Sequence, residues 1–168
     1  MNTKLIAGLA ASAATALFVT GCGDSGSTAT PSSTGSAPAA GKSTAAVDGK
    51  AFDANFDTTC AKQGGTLALA LTDTANATYG SLSVSATLAG ETVQAVAIAG
   101  SQGGANGMPY AVGYGNGQPG GSATLSKDGD TYRITGEGVG APDLTNPLAG
   151  PSTAKFDITF ACSTIVGA

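Results

Sequence analysis

The 168-residue sequence contains no histidine and no tryptophan. Histidine is the commonest general base and the commonest ligand of transition metals, so its absence excludes Ser-His-Asp and Cys-His catalysis. Basic residues are also scarce, with 7 Lys and Arg against 11 Asp and Glu, and they form no cluster that could follow a phosphate backbone. We therefore expect no catalytic residue, no bound metal, no cofactor and no nucleic-acid partner.

Charged residues make up 11% of the chain and aromatic residues 5%, whereas glycine occurs 26 times. Such a chain has few side chains for the salt-bridged surface of helices and many residues for tight turns. The composition therefore favours short strands joined by turns.

The first apolar segment ends at a cysteine. Lys4 precedes residues 5–19, which are apolar or small throughout, a run as long as a signal-peptide core and too short to span a membrane comfortably. Val19-Thr20-Gly21-Cys22 resembles the bacterial lipobox, in which the thiol is linked to diacylglycerol and the signal is then removed. We predict a lipoprotein signal peptide over residues 1–21 and lipidation of Cys22. The alternative is an ordinary secretory signal that precedes a cysteine by coincidence.

A small-residue segment follows the cysteine. Residues 23–46 are almost wholly Gly, Ala, Ser, Thr and Pro, without an aromatic or large aliphatic side chain to start a core. We predict a flexible linker over residues 22–46, with an average reach of roughly 25–30 Å. Its Ser and Thr residues near Pro also suit O-glycosylation. Two or more acyl chains on Cys22 would anchor this tether durably to the outer side of a membrane.

The chain has three cysteines, Cys22, Cys60 and Cys162. If Cys22 is acylated, an even pair remains, and the oxidising compartment of an exported protein favours joining it. We therefore predict a Cys60–Cys162 disulfide, which closes a loop of about 100 residues and stabilises the fold by about 4–5 kcal/mol in the chain-entropy model.

Alternating apolar residues dominate the chain after the linker. Residues 66–71 read TLALAL, residues 81–88 read SLSVSATL and residues 155–162 read KFDITFAC. A period of two predicts strands with one face buried and the other in solvent. Asp128-Gly129 is a hairpin signal, Ala89-Gly90-Glu91 indicates another turn, and Asp48-Gly49 is a further candidate.

The fold class follows from these strands and turns. We predict an all-β domain over residues 47–168, a small antiparallel β-sandwich or barrel of about seven to eight strands. Residues 100–121 are very rich in glycine, although Tyr110, Val112 and Tyr114 alternate and suggest a short strand. Residues 140–150 carry two prolines and are predicted to form a long loop before the last strand.

Several segments in order resemble one protein family. Residues 122–140 (SATLSKDGDTYRITGEGVG), 143–150 (DLTNPLAG) and 155–163 (KFDITFACS) are similar to the C-terminal half of the mycobacterial LpqH-type lipoprotein antigens, the nineteen-kilodalton antigen family. VDGK at residues 47–50 and GGTLALAL after Cys60 resemble its first half. The segment at 100–121 matches this family least.

The resemblance implies an acylated cell-envelope protein, glycosylated on its linker and exposed outward. It also implies that the lipidated N-terminus is recognised by host innate receptors. We therefore expect a surface lipoprotein with a display or interaction role and no enzyme activity. The alternative function is the carriage of a hydrophobic envelope ligand in a groove of the β-domain.

Two further groups of residues are candidates for chemistry. Tyr79, Tyr110, Tyr114 and Tyr132 could line a groove, because tyrosine has an apolar face and a polar tip. The alternative is that Tyr132 and Phe160 belong to the core and the other tyrosines cover strand edges.

The closely spaced carboxylates have simpler explanations. Asp128 and Asp130 flank a hairpin glycine, so turn chemistry accounts for them, and Asp53 and Asp57 lie in a polar stretch that suits a solvated surface. The DGD motif lacks the further oxygen ligands of a calcium site.

Overall fold

The computed structural model describes residues 41–142, 144–146, 148 and 150–168. The predicted signal peptide, Cys22 and the linker up to residue 40 lie outside the described residues. A 3-10 turn spans Ala105–Gly107. No helix in the described part of the chain is long and apolar enough to cross a membrane.

Ten strands form a single antiparallel sheet. Their lengths range from a two-residue edge strand to strands of twelve residues. In chain order they are β1 (Thr44–Val47), β2 (Lys50–Ala51), β3 (Asp57–Gln63), β4 (Thr66–Asn76), β5 (Gly80–Ala89), β6 (Thr92–Gly103), β7 (Pro109–Gly115), β8 (Ser122–Asp128), β9 (Thr131–Pro142) and β10 (Pro151–Ala161).

The order of the strands in space is β2-β1-β10-β9-β7-β6-β5-β4-β3, with β8 paired to β9 beside this path. The prediction of an all-β fold of the sandwich or barrel kind is confirmed, because the sheet is strongly curled and packs its core on the inner face. The structure has more strands than the seven to eight expected. The short strand suggested by Tyr110, Val112 and Tyr114 is present as β7, whereas the two-residue β2 is too short to show an alternating pattern.

The buried residues alternate along the strands as the sequence predicts. In β4 and β5, Leu71 lies opposite Val84, and both side chains are fully buried. The same face continues into β6, where Ile98 lies opposite Val84, and into β7, where Val112 lies opposite Ile98. Burying a Leu, Ile or Val side chain of this kind contributes about 1.5–3 kcal/mol, so this row of side chains holds the curled sheet together.

The hairpin predictions are confirmed, with one shift of register. Asp48 and Gly49 both have positive φ, 50° and 75°, and join β1 to β2 as a two-residue turn of the I′ kind. Gly90 and Glu91 join β5 to β6 as another two-residue turn, in which only Gly90 has positive φ. In the β8–β9 hairpin, Asp128 still pairs with Thr131, so the turn consists of the next two residues and not of Asp128-Gly129.

The sheet begins before the predicted boundary at Val47. β1 starts at Thr44, inside the segment that the composition assigns to the linker. Ala45 is 1% exposed and Ser43 is 7% exposed, so these small residues are buried because they fit against β10, and not because they are apolar by type. Composition alone could not distinguish them from the linker.

β9 is a fork in the sheet, because its two halves have different neighbours on the same edge. Its first half pairs with β8, and Val139 and Gly140 pair with β7. A Cβ at Gly136 would collide with the carbonyl oxygen of Ser122, and one at Gly138 would lie 2.7 Å from the carbonyl oxygen of Gly113. The GEGVG segment therefore lets β7 and β8 approach β9 closely enough to share it.

β3, at one end of the strand order, meets the end of β10 across the curled sheet. Cys60 of β3 and Cys162, just after β10, are joined by a disulfide with a Cα–Cα distance of 5.9 Å. Val166 continues this junction, since its N–H donates to the carbonyl of Cys60 and its carbonyl accepts from the N–H of Lys62. The exposed edge of β3 is thereby paired at one point.

Ser43 makes a second connection between β3 and β10. Its hydroxyl is hydrogen bonded to the hydroxyl of Thr58 at 2.7 Å and accepts from the N–H of Ala161 at 2.9 Å. The chain thus passes from the linker into the sheet at the place where β1, β3 and β10 come together.

Candidate functional site

A short segment crosses from β2 to β3 over one end of the curled sheet. This strap, residues 52–56, is held to β4 by two polar side chains. Asn76 donates from Nδ2 to the carbonyl of Asp53 at 2.8 Å, and Asp73 accepts from the N–H of Asn55 at 3.1 Å. Asn76 also donates to Asp73, and this hydrogen bond is the main reason that the pKa of Asp73 is lowered.

Three aromatic rings meet where the strap begins. Phe52, Tyr79 and Tyr110 contact one another edge to face, with centroid distances of 4.9, 5.0 and 5.9 Å. Such edge-to-face contacts are favoured by the ring quadrupoles. Burial raises the pKa of Tyr110 to about 12, with smaller contributions from Tyr79 and Asp48, so its hydroxyl stays protonated at physiological pH.

Tyr110 also belongs to the wall of an apolar cavity, which we call the loop-end cavity. Its volume is about 470 Å³, within the range of small-molecule sites. It lies between the β6–β7 connection and the β9–β10 connection, and most of the side chains around it are carbon-rich, including those of Met108, Pro109, Val112, Pro142, Leu144 and Ala154. Asp48 brings a carboxylate to its edge, and that group accepts a hydrogen bond from the N–H of Lys155.

A second cavity, the hairpin-end cavity, lies at the other end of the strands. Its volume is about 790 Å³, and it lies beside the fork between β8 and the ends of β6 and β7. Leu67, Val93 and Leu125 contribute apolar surface, but charged side chains also line it, namely Lys62, Glu91, Lys127 and Asp130. Although it is the larger cavity, these charges favour water, so the loop-end cavity is the better candidate for an apolar ligand.

The structure does not bring the four tyrosines into one groove. Tyr110 lines the loop-end cavity, whereas Tyr114 and Tyr132 line the hairpin-end cavity. Tyr79 packs in the aromatic cluster, and Tyr132 is only 5% exposed. The four tyrosines therefore form no shared groove in the described part of the chain, and Tyr132 and Phe160 are core residues, as the alternative states. Tyr110 and Tyr114 lie near opposite ends of β7, and each therefore lines a different cavity.

The two residues of each predicted carboxylate pair have different surroundings. Asp130 lines the hairpin-end cavity and its carbonyl accepts from the N–H of Cys162, while Asp128 ends β8. The carbonyl of Asp53 accepts from Asn76 within the strap, and Asp57 begins β3. No group of three or more Cys, Asp or Glu side chains that could hold a metal occurs among the described residues.

Sequence reasoning missed the residues that build the loop-end cavity. Met108 precedes β7 and Pro109 begins it, whereas Leu144 lies in the β9–β10 connection and Ala154 in β10, so no local period links them. The available signal was weak, namely large hydrophobic residues in two connections between strands: Met108 in one, Leu144 and Leu148 in the other. Their meeting depends on the pairing of β7 with β9, which the sequence pattern alone does not specify.

Comparison with known proteins places this arrangement in a family. Residues 36–162 match the family model described as the Mycobacterium 19 kDa lipoprotein antigen. The chain belongs to this family. The resemblance drawn from the sequence is therefore confirmed.

A relative in Mycobacteroides abscessus, named a lipoprotein, is 38% identical over 119 residues. The alignment covers 69% of this chain and 72% of the relative. The family match begins before β1 and ends at Cys162, so it includes all ten strands, both disulfide cysteines and the loop-end cavity. The lipoprotein antigen family is thus matched through its folded part, while Cys22 precedes the matched range.

Proposed function

We propose that the protein is a lipid-anchored surface lipoprotein of the cell envelope, attached through Cys22 and exposed outward. Membership of the lipoprotein antigen family carries this proposal, and the position of Cys22 at the end of an apolar run supports it. Acyl chains hold the protein at the membrane, and the linker gives the β-domain its reach.

The role of the folded domain in this proposal is display and interaction, without catalysis. The chain has no histidine, and no group of three or more Cys, Asp or Glu side chains that could hold a metal occurs among its described residues. Its proposed partners are the membrane, through the acyl anchor, and host innate receptors that recognise the lipidated N-terminus.

Metabolic labelling with an azide-bearing fatty acid tests the anchor. Wild-type protein expressed in a mycobacterial host should incorporate the label, and Cys22→Ala should lose it. Ser25→Ala, which removes a nearby hydroxyl that could otherwise carry an ester, is the matched control and should label like wild type. Equal labelling of wild type and Cys22→Ala would refute the proposal.

A second candidate function is the carriage of a hydrophobic envelope ligand, and the loop-end cavity supports it. Its volume of about 470 Å³ and its carbon-rich wall suit an acyl chain or similar apolar group. The neutral hydroxyl of Tyr110 and the carboxylate of Asp48 would then orient a polar end of the ligand.

Native mass spectrometry of protein purified from a mycobacterial host tests carriage. An apolar ligand should co-purify with wild type and be lost in Ala154→Trp, which adds an indole at a buried residue of the wall of the loop-end cavity. Ala123→Trp, which adds the same group to the hairpin-end cavity, should keep the ligand. If no ligand co-purifies, or if both variants retain it equally, this function is rejected.

A further inference from the structure

Exposed hydrophobic side chains are concentrated beside the loop-end cavity. In the described part of the chain, the large hydrophobic residues exposed to solvent are Met108, Leu144, Leu148 and Val166, at 46%, 66%, 97% and 65%. Met108 lies in the β6–β7 connection, and Leu144 and Leu148 lie in the β9–β10 connection. Because β7 and β9 pair, both connections leave the sheet at the same end, and Val166 is beside β3 at the other end.

Met108, Leu144 and Leu148 form what we call the apolar tip. The cavity beside it has few charged side chains in its described lining. Among the described residues that line the loop-end cavity there is no Lys or Arg, and the carboxylate of Asp48 accepts a hydrogen bond from the backbone N–H of Lys155. A surface that binds anionic lipid headgroups or nucleic acid needs cations, which this one lacks. Its chemistry matches an uncharged apolar layer instead.

The apolar tip lies far from the point where the linker meets the sheet. Thr44, where the linker meets the sheet, pairs with Thr159 near the end of β10. Pro151, where β10 begins, adjoins the loop that carries Leu144 and Leu148. Eight residues of antiparallel strand separate these two points, which corresponds to roughly 27 Å.

We propose that the apolar tip docks onto a lipid surface with uncharged or zwitterionic headgroups and inserts Met108, Leu144 and Leu148 into its acyl region. The mouth of the loop-end cavity then faces the lipid, so an acyl chain can pass into the cavity without crossing water. The docking itself is independent of the anchor on Cys22. Only the passage of an acyl chain into the cavity rests on the carrier function proposed above.

Vesicle co-sedimentation tests the docking without interference from the anchor. The chain is prepared from residue 22 onward, oxidised and with Cys22→Ala, so that neither an acyl chain nor the apolar run 5–19 is present. It should sediment with phosphatidylcholine vesicles, and adding phosphatidylglycerol to the vesicles should not increase the bound fraction.

The triple variant Met108→Ser/Leu144→Ser/Leu148→Ser should lower the partition coefficient at least tenfold. Val166→Ser, an equally exposed hydrophobic residue at the other end of the sheet, should leave it unchanged. Because all four side chains are exposed, we expect the sheet to stay intact in each variant. Circular dichroism and thermal unfolding check this. A fluorescence change of Leu144→Trp on adding vesicles, with a blue shift, provides a second readout.

Three outcomes would overturn the proposal. The first is that the parent chain does not sediment with vesicles, and the second is that the triple variant binds vesicles as well as the parent chain does. The third is that the triple substitution abolishes only self-association, which would indicate a second copy of this chain as the occupant of the apolar tip. Fatty-acid labelling of Cys22 and ligand co-purification are measured separately, so a failure of docking is distinguishable from a failure of the anchor or of carriage.

Discussion

At the scale of single residues, Asn76 organises one end of the sheet. Its amide donates to the carbonyl of Asp53 and to the carboxylate of Asp73, and its carbonyl oxygen accepts from the N–H groups of Thr78 and Tyr79. The residue is 6% exposed, so no solvent replaces these partners easily. One side chain therefore fixes both the strap and the β4–β5 turn.

Asn76→Ala should lower the free energy of unfolding by about 1–3 kcal/mol, because it leaves part-buried backbone groups without their partner. Urea unfolding followed by circular dichroism measures the change. Thr74→Ala, an exposed neighbour on the same strand, is the control and should have little effect. A midpoint for Asn76→Ala equal to that of the control would contradict the assigned role.

Tyr110 provides a pH-dependent prediction at the same scale. Its pKa rises from 10 in the unfolded chain to about 12 in the folded protein, chiefly because of burial. The folded state therefore favours the neutral phenol, and the stability from this group is complete below pH 10 and is lost as the pH rises toward 12.

Alkaline titration at 295 nm should show a tyrosinate step near pH 12 that is absent in Tyr110→Phe. The same variant should lose less stability between pH 10 and 12 than wild type does. A late step of unchanged size in Tyr110→Phe would assign the perturbed phenol to another tyrosine.

At the scale of the elements, the fork at β9 depends on small residues. Phe156 of β10 lies 2.8 Å from the position that a Cβ at Gly136 would occupy, and the backbone of β8 is also in the way. The aromatic ring covers the glycine, so that β8, β9 and β10 can stay in register. Glycine in a strand interior often marks such a close approach.

Gly136→Ala should destabilise the protein by about 1–3 kcal/mol, the usual effect of forcing an extra carbon into a packed site. Gly41→Ala is the control, because nothing lies within 4 Å of the added carbon there. Thermal unfolding of both variants measures the difference. If Gly136→Ala unfolds at the wild-type temperature, the close approach at the fork is not limiting for stability.

At the scale of the whole molecule, the junction of Cys60 with Cys162 closes the curled sheet. It links residues separated by 102 positions in the chain and joins β3, at one end of the strand order, to the end of β10. A loop of this length restricts the unfolded chain strongly, so the disulfide contributes about 4–5 kcal/mol in the chain-entropy model.

Cys60→Ala/Cys162→Ala should therefore show a large drop in the urea midpoint, by far the largest effect of the substitutions discussed here. Ser43→Ala, which removes only hydrogen bonds from the same junction, should cost about 1 kcal/mol. Non-reducing peptide mapping of wild type should recover the two cysteines in one linked fragment. Free thiols at both positions, or an unchanged midpoint in the double variant, would contradict the role of the junction.

The strands and hairpins were predictable because their signals are local. The alternation of Leu67, Leu69 and Leu71 and the Asp48-Gly49 turn depend only on neighbours in the chain. The loop-end cavity was not predictable, because Met108 and Leu144 approach each other only after β7 and β9 have paired. Ser43 illustrates the same limit, since its burial follows from contacts with Thr58 and Ala161 and not from its own polarity.

The pairing of β1 with β10 determines how the protein responds to mechanical load. If the linker is pulled at Thr44 while the loops before Pro151 are held, the two antiparallel strands are drawn past each other lengthwise. Their hydrogen bonds run perpendicular to the strands, so the four residue pairs from Thr44 to Val47 resist together and do not open one at a time. The tether is therefore attached in a shear geometry, which makes the first strand a firm mechanical clamp.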